Sequence, residues 1–106
     1  MSPDDLFWQL AEALYADDAV TRSTMMGFPC LRVDGQFFAS LDHREHHLIV
    51  KLSEERVNDL VASGLGLSFA PNGRVFREWV AIPEPDEDAW RDLLLEAKAF
   101  VSADAG

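Results

Sequence analysis

A chain of 106 residues with 19 acids, nine Lys or Arg and a formal charge of −10 has room for one hydrophobic core, and its field opposes binding to a phosphate backbone. Hydrophobic residues make up 48% of it, with seven Phe and three Trp, which excludes disorder over most of its length. No apolar stretch approaches the roughly 20 residues of a membrane helix, and the single cysteine, Cys30, excludes an internal disulfide.

Residues 1–20 carry four Asp and one Glu with no Lys or Arg, the opposite of a signal peptide's basic start. The expectation is one cytoplasmic domain over residues 1–106. Its charge is uneven. Residues 22–80 hold seven acids and seven bases, and the two ends hold the other twelve acids with only Arg91 and Lys98. A binding surface is therefore expected in the neutral middle.

Ser2 can cap a first helix, Pro3 suits its first turn, and Asp4 and Asp5 favour the positive end of its dipole. Leu6, Phe7, Leu10, Ala11, Leu14 and Tyr15 recur at helical spacing as one buried stripe, with Trp8 beside it. Asp17 and Asp18 end the helix.

Asp34-Gly35 predicts a two-residue hairpin between Cys30–Val33 and Gln36–Leu41. The predicted pairs are Val33 with Gln36, Arg32 with Phe37, Leu31 with Phe38 and Cys30 with Ala39. One face then shows Leu31, Val33 and Phe38. The other shows Cys30, Phe37, Ala39 and Leu41, with Arg32 among them. Neither face is clean, which predicts cover on both sides by helices or by a second subunit.

His47–Leu52 is the next strand, with Leu48, Val50 and Leu52 opposite His47, Ile49 and Lys51. Ser53 caps a second helix whose stripe is Val57, Leu60 and Val61; Gly64 ends it, and Gly66 marks a bend. Arg74–Ile82 is predicted as a long last strand, stopped by Pro83 and Pro85. Phe76, Val80 and Ile82 lie on one side of it, Val75, Arg77, Trp79 and Ala81 on the other. Asp86 caps a closing helix that buries Trp90, Leu93, Leu94, Ala97, Phe100 and Val101. Helix, three or four strands, helix, two strands and helix make an α+β domain with a mainly antiparallel sheet.

Met25–Leu31, the Asp34-Gly35 hairpin, Leu48–Leu52 with its Lys51, and Gly73–Val80 together resemble the N-terminal domain of the TfoX/Sxy competence regulators and, more loosely, the YjbR-like proteins. The resemblance covers nearly the whole chain. It implies an α-β(3)-α-β(2)-α fold like that of the type III secretion chaperones, with no catalytic residues. Full-length competence regulators add a second, C-terminal domain, so their role as transcriptional co-activators does not carry over to this chain. The acidic charge opposes the DNA binding described for YjbR-like proteins.

Three groups are candidate sites. Asp42-His43-Arg44-Glu45-His46-His47 offers imidazoles and carboxylates suited to zinc, but a polar hairpin loop is the simpler reading, and no metal or other cofactor is expected. Cys30 in an apolar strand acts as a small hydrophobe. Arg32, Lys51, Arg74 and Arg77 on a shared sheet face could form a positive patch beside Trp79 that receives an acidic peptide or small anion. The alternative is that Trp79 is core and the bases pair with Glu78 and the acidic helices.

No catalytic motif is present. The sequence is therefore read as a non-enzymatic protein-interaction domain, expected as a homodimer. A small-ligand or metal-binding protein using the Arg/Lys/Trp group or the His43–His47 loop is the alternative, and a DNA-binding accessory protein comes third. If all three helices pack on one side, Phe37 or Phe38, Ile49 and Trp79 are left on the other for a second copy to cover.

Overall fold

The computed structural model describes residues 2–25, 28–42, 44–71 and 73–105. Its elements are α1 (Pro3–Leu14), β1 (Val20–Met25), β2 (Phe28–Val33), β3 (Gln36–Asp42), β4 (His47–Lys51), α2 (Glu54–Ser63), β5 (Leu67–Ser68), β6 (Trp79–Ile82) and α3 (Glu87–Ala105). The domain is α+β, and the six strands pair antiparallel in the order β1-β2-β3-β4-β6-β5. Four strands precede α2, one more than the resemblance implies, because Val20–Met25 pairs along the whole of β2.

The helix ends follow their caps. Ser2 Oγ accepts from Asp5 N at 3.1 Å, Ser53 Oγ from Arg56 N at 3.2 Å and Asp86 Oδ1 from Ala89 N at 3.0 Å, each cap contributing about 1 kcal/mol. Gly64 closes α2 with φ 86, a conformation that a side chain disfavours. Leu6, Phe7, Leu10, Ala11 and Leu14 are the buried stripe of α1. In α2 the stripe narrows to Val57 and Leu60, and Val61 is exposed.

One cluster forms the core. It joins those residues of α1 and α2, together with Trp90, Leu93, Leu94, Ala97 and Val101 of α3, to Leu31, Val33, Phe38, Ala39, Leu41, Leu48, Val50, Val80 and Ile82 of the sheet. Alternate strand residues point to one face, so all three helices lie on the face these side chains define.

The hairpin register departs from expectation after its first two pairs. Val33 faces Gln36 and Arg32 faces Phe37, but Leu31 faces Ala39 and Cys30 faces Ser40. An extra residue on β3 is a β-bulge, which bends the strand and breaks the alternation of its side chains. Phe38 and Ala39 therefore both reach the core, and Leu41 follows them there. The two mixed faces of the unbulged hairpin are thus sorted into an apolar face and one carrying Cys30, Arg32, Phe37 and Ser40.

The long last strand is also corrected. Only Trp79–Ile82 is strand. β4 ends at Lys51, opposite Trp79, and one further bond, Leu52 N to Glu78 O at 2.9 Å, precedes the turn into α2. Residues 74–78 consequently have no ladder to join. They form a loop in which Phe76 N donates to Phe69 O at 3.0 Å and Trp79 N donates to Phe76 O at 3.2 Å. Among the described residues, no helix is long and apolar enough to cross a membrane.

Candidate functional site

The strand pairings place a second set of residues on the sheet face away from the helices. One row across it runs Ser23, Cys30, Ser40, Ile49, Ala81 and Leu67. On one side of that row lie Arg32, Phe37, Lys51 and Trp79, and on the other lie Phe28, Asp42 and His47. Cys30, Ser40, Ile49 and Ala81 are buried without belonging to the helix-side core. Short side chains on central strands are sheltered by longer neighbours on their own face. Phe28, Phe37 and Trp79 remain partly exposed, and Leu67 is 48% exposed.

The polar groups of this face are ordered. Arg32 lies over Phe37, its guanidinium carbon 4.2 Å from the ring centroid, and its Nε is buried with no hydrogen-bond partner among the described residues. Ser40 Oγ donates to Pro29 O at 2.9 Å, and Cys30 Sγ lies 3.3 Å from Phe28 O and 3.6 Å from Ser40 Oγ. The thiol is fully buried, which suits a packing role rather than a nucleophile's exposed, electropositive setting.

The five expected site residues separate. Arg32, Lys51 and Trp79 share this face, and Lys51 pairs directly with Trp79 across β4 and β6. Arg74 and Arg77 do not join them, because both sit exposed in the loop before β6. Arg77 approaches Glu54 Oε1 only at 3.9 Å with its side chain 79% exposed, a pair worth well under about 1 kcal/mol. Neither Arg77 nor Lys51 supplies a stack on Trp79. The guanidinium–ring stacks among the described residues are Arg32 on Phe37 and Arg22 on Trp8, each at 4.2 Å.

The Arg22–Trp8 stack ties β1 to α1 and was not anticipated. Arg22 pairs with Leu31, so it stands on the helix side, a position readable only once β1 is known to be a strand. Other bases pair with acidic helices or loops: Arg56 Nε with Glu96 at 2.9 Å, Arg91 with Asp88 and Glu87, and Lys98 Nζ with Asp17 at 2.7 Å.

In the loop between β3 and β4, Asp42 Oδ1 accepts from Arg44 N at 2.9 Å and Glu45 N at 3.4 Å. His46 has φ 60, and its Nδ1 lies 2.8 Å from Asp4 Oδ1. His47 belongs to β4, and His43 lies outside the described residues. Among the described residues, no three His, Cys, Asp or Glu side chains are gathered as a metal ion requires.

A shallow apolar groove of about 140 Å³ between α1 and α3 is lined by Leu10, Ala13, Leu14, Arg91, Leu94 and Leu95. Its one charged member, Arg91, is turned to Asp88 and Glu87. Such a groove can bury an apolar side chain but offers no converging polar groups.

No family model, curated protein or solved structure matches this chain.

Proposed function

We propose that the chain is a non-enzymatic protein-interaction module of the cytoplasm that associates as a homodimer through the helix-free face of its sheet. One observation carries this reading. All three helices pack on a single face of a six-stranded sheet, while Phe37, Trp79 and Leu67 stand on the other. Aromatic and aliphatic side chains left partly in water favour association, and a closed two-fold arrangement covers them without leaving a growing end. The resemblance to TfoX/Sxy N-terminal domains supports an accessory, regulatory role. With a charge of −10, the partner is a protein rather than duplex nucleic acid.

Light scattering on the purified chain at tens of micromolar tests the reading. The expected mass is twice the 11.9 kDa of one chain; a mass of one chain overturns the homodimer.

A further inference from the structure

We infer that the two protomers meet with Asp42 of each placed between Arg32 and Lys51 of the other; this rests on the homodimer reading above. The argument begins with where the acids are. Eleven of the nineteen lie in the three helices, and among the described residues Asp42 is the only one in a strand. Face-to-face packing of the sheets sends the helices outward. It therefore sets the acidic surfaces of two highly charged chains as far apart as this fold permits.

The register then fixes the pairing. Cys30 faces Ser40 across β2 and β3. Arg32 lies two residues beyond Cys30, and Asp42 lies two residues beyond Ser40 in the opposite direction, because the strands are antiparallel. Lys51 lies two residues beyond Ile49, the partner of Ser40 on β4, at the same end as Arg32.

A two-fold axis along the row Ser23, Cys30, Ser40, Ile49 and Ala81 reverses the strand direction but keeps each strand over its own copy. The partner's Asp42 then falls over Phe37, on β3, with Arg32 on β2 to one side and Lys51 on β4 to the other. Neighbouring strands are about 4.8 Å apart and packed sheets about 10 Å apart, distances that long cationic side chains span. In an isologous interface the contact occurs twice.

Two details match this placement. Arg32 is held over Phe37, its guanidinium carbon 4.2 Å from the ring centroid, which fixes the cation on the face where the carboxylate arrives. Neither Arg32 nor Lys51 forms an ion pair with any described acid, although acids outnumber bases two to one.

Sedimentation equilibrium on charge variants tests the assignment. Asp42→Asn keeps an oxygen to accept from the loop amides, so the loop stays closed, and it removes the charge; the dimer is expected to weaken about tenfold. Arg32→Asp is expected to weaken it further, and Arg32→Asp combined with Asp42→Arg to recover most of the loss, with unchanged circular dichroism throughout. A dimeric wild type whose constant is unmoved by these reversals, or a double variant no better than the singles, overturns the pairing and leaves the homodimer standing. A monomeric wild type removes both.

Discussion

Gly66 lies so close to Val80 that a β-carbon built on it stands 2.7 Å from Val80 Cγ2, with Leu60 Cβ at 3.3 Å. This contact lets the chain leaving α2 press onto β6 beneath the short edge strand β5. Gly66 is therefore required for space, whereas Gly64, at φ 86 with nothing near its β-position, is required for backbone conformation. Gly66→Ala forces Val80 to shift within a packed core and is expected to cost about 1–3 kcal/mol. Urea denaturation measures it, and a midpoint equal to wild type contradicts the contact.

Asp17 holds its proton more weakly than usual, chiefly because Lys98 donates to it and secondarily because Ala19 N does. The pair pins the turn after α1 to α3. A carboxyl with a depressed folded value stabilises the fold above its ordinary 3.8, and that contribution disappears as pH falls through the folded value. Asp17→Asn is thus expected to be slightly less stable than wild type at neutral pH and equal to it in strong acid. Thermal melts from pH 7 to pH 2 check the convergence; a constant gap at all pH values refutes the assignment.

Tyr15 carries a buried hydroxyl with no hydrogen-bond partner among the described residues. Removing an unsatisfied buried group of this kind relieves a desolvation cost, so Tyr15→Phe is expected to be neutral or stabilising by up to about 1 kcal/mol. Burial also raises the phenol's pKa above its ordinary 10.0. The unfolded chain ionises first, and stability falls as pH rises past that value. The Phe variant should lose less stability there, which alkaline melts test directly.

The loop between β3 and β4 makes a further prediction. His46 is engaged with Asp4 from the start of α1, and Asp42 Oδ1 is occupied by the loop's own amides. Zinc or nickel at micromolar concentration is expected to leave Tm unchanged, since a ligand of the folded state must raise it. A rise of several degrees that vanishes in His46→Ala, His47→Ala establishes a metal site.

Local chemistry made much of this fold legible. Ser2, Ser53 and Asp86 act as caps, Gly64 as a stop, and Asp34-Gly35 as a turn, because each acts through its own backbone. The candidate face was only half legible. Arg32, Lys51 and Trp79 follow from strand alternation, but Arg74 and Arg77 were drawn onto the sheet by a β-like sequence that has no strand to pair with. Pairing is a tertiary event, and residues 74–78 lose it because β4 stops at Lys51. The bulge was illegible for the same reason: nothing in Phe37-Phe38-Ala39 itself shows that β3 carries one residue more than β2.

The bulge brings Ala39 to the same face as Phe38, whereas Phe37 stays opposite them, and the last prediction rests on that division. Phe38 is fully buried in the helix-side core, while Phe37 lies on the open face beneath Arg32. Phe38→Ala leaves a cavity beneath the helices and is expected to cost about 3–5 kcal/mol, a large share of the stability of a domain this size. Phe37→Ser removes the platform for Arg32 and part of the apolar face, so it should spare the fold and weaken association. Paired measurements, urea melts for stability and light scattering for mass, distinguish the two. Equal destabilisation by both substitutions contradicts the placing of Phe38 in the core and Phe37 on the open face.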